Sequence, residues 1–587
     1  MPCLTRHDTT RHDTTRHGYF YQFILDWLNS EGLFIFWLLI LGITASQTTY
    51  SFMFRSLYDF KTEFLILACD IAVIFINAVL LDFIIYCLLK KTKTFLRIIK
   101  FVFLLVSICM FLADLFTIYY WKLPLNSIML DFVMMTNIRE TGEFLSVYLF
   151  NAYLWFFFLA VSVVLFILWR VFLFIYRQKR LFVILVICGF ILGIFASERV
   201  IHKSGGYPRI LNSVGLYRIS YMLFKDFQGR QEYMKMSEQS SPEIHLTKNE
   251  SNIPYAIFIV GESTCRNHMS LYGYSLPTSP ELTKLKEQGG LYVFDDTVST
   301  HAGTMANLQK IFTFYRYGAL GKWFEYTSLF RILHAAGYYV TWISNQESAS
   351  VGGTSASSFY FRQCDARYFT EAFKESGYNA NNYDEMLLPL IDKAMLSVYE
   401  KNFYIVHLMG THFHYHKRYP EKFNKFSYED EPEGFDGITD SQRTVRANYD
   451  NAILYNDFIV REIIRKFEEK NALVIYISDH GEEVYDSLNF FGHYDGLSRN
   501  MIEIPMLIWV SSKFSSNYPE LEQRIASSIH RPFMTDDMIH VVLDIMGIET
   551  EEYDPAKSVI NPKFDASRQR IHEGKLYDKE NGLHEVQ

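Results

Sequence analysis

The chain has 587 residues, enough for two or more domains, and a net charge of −8. That balance leaves no excess basic charge for a nucleic-acid partner, so none is expected. Hydrophobic residues make up 50% of the chain, yet nearly all the long apolar runs fall before residue 200. The composition therefore excludes a wholly soluble protein and points to a membrane part followed by a soluble part.

Residues 1–19 contain "TRHDTTRHDTTRHG", which repeats with a period of five. The repeat has no apolar face, so it is read as a disordered tail. Arg-His-Asp-Thr-Thr can be encoded as three copies of the five-base unit CGACA. Such a tract slips during replication, and repeat number is expected to switch expression on and off (phase variation).

Residues 20–200 read as a transmembrane domain. A span needs roughly 20 apolar residues, and five stretches qualify, at 31–50, 64–89, 97–120, 145–176 and 180–199. Basic loops follow the second span (Lys90 to Arg97) and the fourth (Arg177 to Arg180), and Arg6, Arg11 and Arg16 precede the first. Basic short loops stay in the cytoplasm, which puts the N-terminus inside and everything after residue 200 outside. Near 123–144 the helical spacing of "LNSIMLDFVMMTNIRETGEFL" predicts an external helix lying on the membrane surface. Asn137 and Thr141 would share one face of it. Asp70 and Asp114 sit near the outer ends of their spans. Intramembrane acids are functional candidates; hydration at the interface is the plainer alternative.

Residues 201–249 form a linker with a surface helix, broken by Gly-Gly-Tyr-Pro at 205–208. From 250 to 550 the pattern changes to "YAIFIVGES", "LYVFDD", "YYVTWISN", "FYIVHLMGTH", "LVIYISDH" and "EIPMLIWVSS", separated by helical stretches. Continuous apolar strands alternating with helices predict an α/β domain with a largely parallel central sheet, covered by helices on both faces. One helix is predicted over "SQRTVRANYDNAILYNDFIVREIIRKF", with Val445, Tyr449, Ala452, Ile453, Asn456, Ile459, Val460, Ile463 and Phe467 on its buried side. Residues 551–587 read as a loosely packed polar tail. Cys265 and Cys364 are the two cysteines of the soluble part, either bridged or two free thiols.

Ligands bind beyond the carboxyl ends of strands in such sheets. Glu262 ends one strand, His412 lies just past another, and Asp479 and His480 end a third. Acid oxygens and imidazoles gathered on one rim suit zinc or manganese. Singly, each has a plain reading as a helix cap or a solvated loop residue.

"IFIVGESTCRNHMSLYGYSLPTSPEL", "HLMGTHFHYHKRYP" and "ISDHGEE…FGHYDG" resemble the inner-membrane phosphoethanolamine transferases of the alkaline phosphatase and sulfatase superfamily. The wording is closest to the branch that modifies core heptose of lipopolysaccharide. The resemblance implies zinc, one ion tightly bound and a second during turnover, with Glu262, Thr304, Asp479 and His480 as ligands. Thr304, in "STHAGTMANLQ", matches the nucleophile; Thr300 is a rival four residues away. His412 and His493 match substrate-side histidines near the departing and arriving oxygens. Asn137 and Thr141 match positions lining the lipid headgroup path, although an acid expected one turn later falls on Leu145, leaving Glu140 or Glu143 to stand in. The implied donor is phosphatidylethanolamine, the acceptor a lipopolysaccharide or lipooligosaccharide sugar, and the intermediate a phosphoethanolamine-threonine. The catalytic domain would be periplasmic and the protein multi-pass in a bacterial inner membrane.

His414 and His416, on alternate residues of an extended loop, would share the face of His412 and either bind a second metal or meet solvent. The acidic stretch "KFNKFSYEDEPEGFDGITD" reads as a solvated connection or an acceptor-binding flap. The rival functions are a phosphoglycerol transferase, a lipid A phosphoethanolamine transferase, a sulfatase and an inactive lipid-binding scaffold. A sulfatase needs a cysteine or serine to convert to formylglycine, which Thr304 cannot supply.

Overall fold

The computed structural model describes residues 78–88, 91–121, 152–178, 243–346, 360–370, 383–397, 399–432, 434–493, 498–572 and 574–578, with isolated positions at 34, 37, 38, 41, 71, 74, 75, 125, 187, 188, 191 and 224. The chain divides into two compact units, Met1–Glu238 and Gln239–Gln587.

In the first unit, α1 (Lys93–Trp121) and α2 (Ala152–Arg177) are long and apolar enough to cross a membrane. They coincide with the spans expected at 97–120 and 145–176. Phe101, Phe156 and Phe174 stand exposed on them, which suits a hydrocarbon surrounding and not water. Residues 78–88 of the span expected at 64–89 are also helical. The remaining two spans lie almost wholly outside the described residues, as do the repeat, Asp70 and the surface helix near 123–144. Asp114 is buried and its Oδ1 accepts a 2.8 Å hydrogen bond from the backbone N–H of Leu125. That burial does not fit a hydrated interfacial group, and the bond gives Asp114 a local structural task. A second acid, Asp82, is buried against Lys100 at 2.5 Å, as a charge in a helical bundle must be.

The second unit is built on seven strands: β1 (Tyr255–Gly261), β2 (Leu291–Phe294), β3 (Tyr339–Ser344), β4 (Ala366–Phe369), β5 (Asn402–His407), β6 (Ala472–Ser478) and β7 (Met506–Val510). Their order is β2-β7-β6-β1-β5-β3-β4. Strands β6, β1, β5, β3 and β4 run parallel, while β7 is antiparallel to both β6 and β2. The sheet is therefore mixed. The six apolar runs read from the sequence are six of these strands. The seventh, β4, escapes the reading because it is a half-exposed edge strand, "ARYF", with no continuous apolar run.

Alternation along β1 divides the core. Ala256, Phe258 and Val260 face one hydrophobic cluster, and Ile257 and Ile259 face the other. Helices α3 (Pro280–Gln288), α4 (Thr304–Ile311), α5 (Leu329–Ala335), α6 (Leu387–Ala394), α7 (Asp440–Arg465) and α8 (Met538–Met546) cover the two faces. The stripe expected on α7 is buried from Tyr449 to Ile463, with Val445 partly buried and Phe467 just beyond the helix end. Thr439 and Gln442 close its start in a reciprocal capping box. Cys265 and Cys364 are free and buried in different clusters, on opposite faces of the sheet, so no bridge joins them.

Both edges of the expected domain move outward. Leu246–Asn249 already pairs with Ile548–Thr550. The polar tail expected to be loose beyond residue 550 is packed as far as Asp578. Val559, Ile560, Arg570, His572 and Tyr577 are buried there, and Arg570 donates to Asp296 at 2.6 Å. Ion pairs through Arg568 and Arg570 and apolar contacts of Val559, Ile560 and Tyr577 together hold this segment.

Candidate metal centre

Register decides the site. In the parallel pair β1–β6, Gly261 lies opposite Ser478, so the next residues, Glu262 and Asp479, emerge side by side on one rim. The N–H of Asp479 donates to Gly261 O at 3.1 Å and extends the ladder by one rung. His480 follows. One ligand atom from each of Glu262, Asp479 and His480 lies within 4.8 Å of the others, and all three residues are buried.

Thr304 is the first residue of α4, with Gly303 as its cap. Its Oγ1 donates to Glu262 Oε2 at 3.2 Å. The turn before it is held by one side chain: the Asn307 carbonyl accepts from the N–H groups of Thr300 and His301 at 3.1 and 3.0 Å, and its amide donates to His301 O and Gly303 O at 2.6 and 3.1 Å. Thr300 is fully buried, its Oγ1 makes no hydrogen bond, and its carbonyl lies 3.0 Å from His572 Nδ1. Of the two threonines considered, Thr304 is the one the structure joins to the acid cluster.

The hydrogen bonds around the cluster leave a gap for a cation. Asp479 Oδ1 accepts from Ser263 N at 3.1 Å and His480 N at 2.7 Å. His480 Nδ1 lies 2.8 Å from Gly481 O, which makes Nδ1 the protonated nitrogen. That leaves His480 Nε2 and Asp479 Oδ2, both buried and neither with a hydrogen bond. Buried polar atoms are rarely left so. His480 Nε2 faces Glu262 Oε1 at 3.2 Å.

Charge tells the same story. Burial works to lower the His480 pKa, yet the facing Asp479 and Glu262 push it up to about 10. Burial and the Glu262 charge push Asp479 up to about 7. Burial would raise Glu262 too, but His480, His412 and Gln346 hold it well below the ordinary carboxylate range. Two buried carboxylates and one imidazole place a net negative demand in a dry site. A divalent cation taking two oxygens and a nitrogen meets that demand. The residues present therefore fit a zinc ion.

His412 is outside this close ligand group but stands near it on the same rim, where Glu262, Glu482 and His493 act on it. Its Nδ1 is buried and makes no hydrogen bond. His493 lies nearby, its ring centroid 4.0 Å from that of His480. The loop after His412 is not extended. His414 has φ 67° and opens a 3-10 turn at Tyr415–Lys417, so His414 is buried while His416 is exposed. A face shared by His412, His414 and His416 does not form. Asn137, Thr141, Glu140 and Glu143 lie outside the described residues. Two site residues gave no sign in the sequence. Gln346 donates to Glu262 Oε2 at 3.0 Å and to Leu408 O at 2.8 Å. Glu482 lies 2.7 Å from His493 Nδ1. Only folding brings either to its partner.

Comparison with known proteins agrees with this geometry. The sulfatase family profile matches residues 254–548, half of the chain. The phosphoethanolamine transferase EptC of Escherichia coli K12 is 34% identical over 339 residues, covering 55% of this chain and 56% of its own. The chain thus spans about half the length of the curated relatives it matches. The crystal structure of the C-terminal periplasmic domain of EptC from Escherichia coli, in complex with zinc, is 31% identical with a TM-score of 0.53, covering 59% of this chain and 96% of that one. The integral membrane lipooligosaccharide phosphoethanolamine transferase A of Neisseria meningitidis shares the fold over 89% of this chain and 97% of its own, at 19% identity and a TM-score of 0.62. A strand-end acid, an Asp-His pair and a helix-opening threonine on one rim, together with these matches, place the chain in the sulfatase family.

Proposed function

We propose that the protein is a zinc-dependent transferase that moves phosphoethanolamine from phosphatidylethanolamine to a sugar hydroxyl of lipopolysaccharide or lipooligosaccharide, with core heptose as the acceptor. The observation that carries this is the hydroxyl of Thr304 held against Glu262 beside the buried Asp479–His480 pair. The EptC relatives support the choice of group.

Glu262, Asp479, His480 and Thr304 would hold the ion. Zinc, when bound, supplies the positive charge that makes a hydroxyl ionise near neutral pH. Glu262 fixes the direction of Thr304 Oγ1, and Gln346 fixes Glu262. The first turn of α4 carries no acid, so its N–H groups are free to favour a phosphate. In the first step Thr304 Oγ1 gives up its proton, its bond to phosphorus forms and the bond from phosphorus to the diacylglycerol oxygen breaks. The departing oxygen takes a proton, and diacylglycerol leaves. In the second step a sugar oxygen displaces Thr304 from phosphorus and gives up its proton, and Thr304 Oγ1 regains one. His412 and His493 serve as the proton carriers. Asn137 and Thr141 would line the path of the lipid headgroup, with the apolar helices holding the enzyme in a bacterial inner membrane and the second unit in the periplasm.

The test is mass spectrometry of lipopolysaccharide from cells with the gene, without it, and with Thr304→Ala. Phosphoethanolamine on a core heptose is expected only with the intact gene. The same mass increment in the deletion strain refutes the activity, and an increment on lipid A refutes the acceptor. Normal transfer by Thr304→Ala refutes the nucleophile.

A further inference from the structure

Glu482 is fully buried two positions beyond His480, and the steps above give it no task. Both of its carboxylate oxygens are engaged. Oε2 lies 2.7 Å from Nδ1 of His493, and Oε1 accepts a 2.6 Å hydrogen bond from the hydroxyl of Tyr415. Tyr415 is itself buried and packs edge-on against Tyr449 at 5.0 Å, on helix α7. The carboxylate is thus held at both oxygens, at one of them by a buried tyrosine.

The 2.7 Å contact with Glu482 Oε2 ties Nδ1 of His493 to a buried carboxylate. The same contact fixes the plane of the ring. His412 lacks this support, because its Nδ1 is buried with no hydrogen bond. The two substrate-side histidines are not equivalent.

We propose that Glu482, braced by Tyr415, is a positioning residue that holds the ring of His493 in the orientation the transfer to the acceptor requires. The role rests on the transfer reaction proposed above. His480, Glu482 and His493 also bring one ligand atom each within 4.8 Å of the others. A cation site made by these three is the competing assignment, and the test separates the two.

The test is a double-mutant cycle on the purified full-length chain in detergent, with phosphatidylethanolamine and lipopolysaccharide as substrates. Glu482→Gln keeps the volume and removes the charge. It is expected to lower kcat by about 10- to 100-fold, the range for partners that orient a site histidine, with the acceptor KM changed less than about twofold. Zinc per chain and the melting temperature should stay at wild-type values. In a His493→Ala background the same substitution should cause no further loss, because its effect passes through that ring. Should Glu482→Gln fold poorly, Tyr415→Phe serves as the second variant, with a smaller drop in kcat and the same dependence on His493. An equal loss with and without His493 overturns the role, as does an unchanged kcat. A drop in bound zinc assigns Glu482 to a cation instead and overturns it too. No transfer by the wild-type chain sinks the reaction and this role together; transfer by wild type without the coupling sinks the role alone.

Discussion

Gly410 offers a way to disturb the metal centre without touching any ligand. It follows β5 with φ +50°, and a Cβ built there would lie 2.8 Å from Glu262 O, 2.9 Å from Glu262 N and 3.2 Å from Glu262 Cβ. Ordinary contact starts near 3.4 Å, so Gly410→Ala must move the Glu262 backbone by about 0.5 Å. That backbone cannot give freely, since Thr411 N and Thr411 Oγ1 both donate to Glu262 O at 3.0 Å. Overpacking of this kind costs about 1–3 kcal/mol, and a left-handed alanine adds about 1–2 kcal/mol. A shift of this order at a reacting centre lowers turnover by roughly 10- to 100-fold. Gly437→Ala is the matched control: its φ is +80° and nothing lies within 4 Å of the added Cβ. It should lose about 1 kcal/mol of stability and no activity. Zinc content, thermal unfolding and transfer rate of the two variants decide the matter. Gly410→Ala with wild-type zinc and wild-type turnover would show that Glu262 does not need this position.

Two further predictions concern other parts of the chain. Glu503 accepts from Tyr577, Asn267 and Arg499. Burial works to raise its pKa, but these donors and Arg266 hold it below the ordinary range. A depressed carboxylate stabilises the fold above its unfolded pKa and loses that contribution as pH falls through its folded pKa. Stability should therefore drop on acidification below the ordinary glutamate range, and Glu503→Gln should flatten that limb of the melting temperature against pH; an unchanged profile refutes the assignment. The N-terminal tract should vary in repeat number among single colonies, in units of five bases, and codons that do not spell the unit would end that reading.

The site was partly legible because its ligands sit where a strand stops. Glu262, Asp479 and His480 each follow an apolar run directly, and a parallel register leaves them no choice of edge. Thr304 was legible through the resemblance and its place at a helix start. Gln346, Glu482 and Tyr415 were not, because each is defined by a partner far away in sequence: Glu262 for Gln346, Tyr415 for Glu482. The same holds for the C-terminal segment. Its polar composition reads as a loose tail, yet Arg570 and Tyr577 are buried on Asp296 and Glu503. Its few apolar residues, Val559, Ile560 and Tyr577, follow no helical or strand period, and its arginines find partners far away in sequence. The loop at His412 misled for a local reason, since one left-handed residue at His414 breaks the alternation on which a shared face depends.

In the proposed reaction the hydroxyl of Thr304 attacks phosphorus. The direct measurement is peptide mass spectrometry of the full-length chain after incubation with phosphatidylethanolamine and no acceptor. The expected result is a phosphoethanolamine adduct on the peptide containing Thr304, localised to that residue and removed on adding lipopolysaccharide. An adduct localised to Thr300, or product formed with no adduct on the chain, would contradict it.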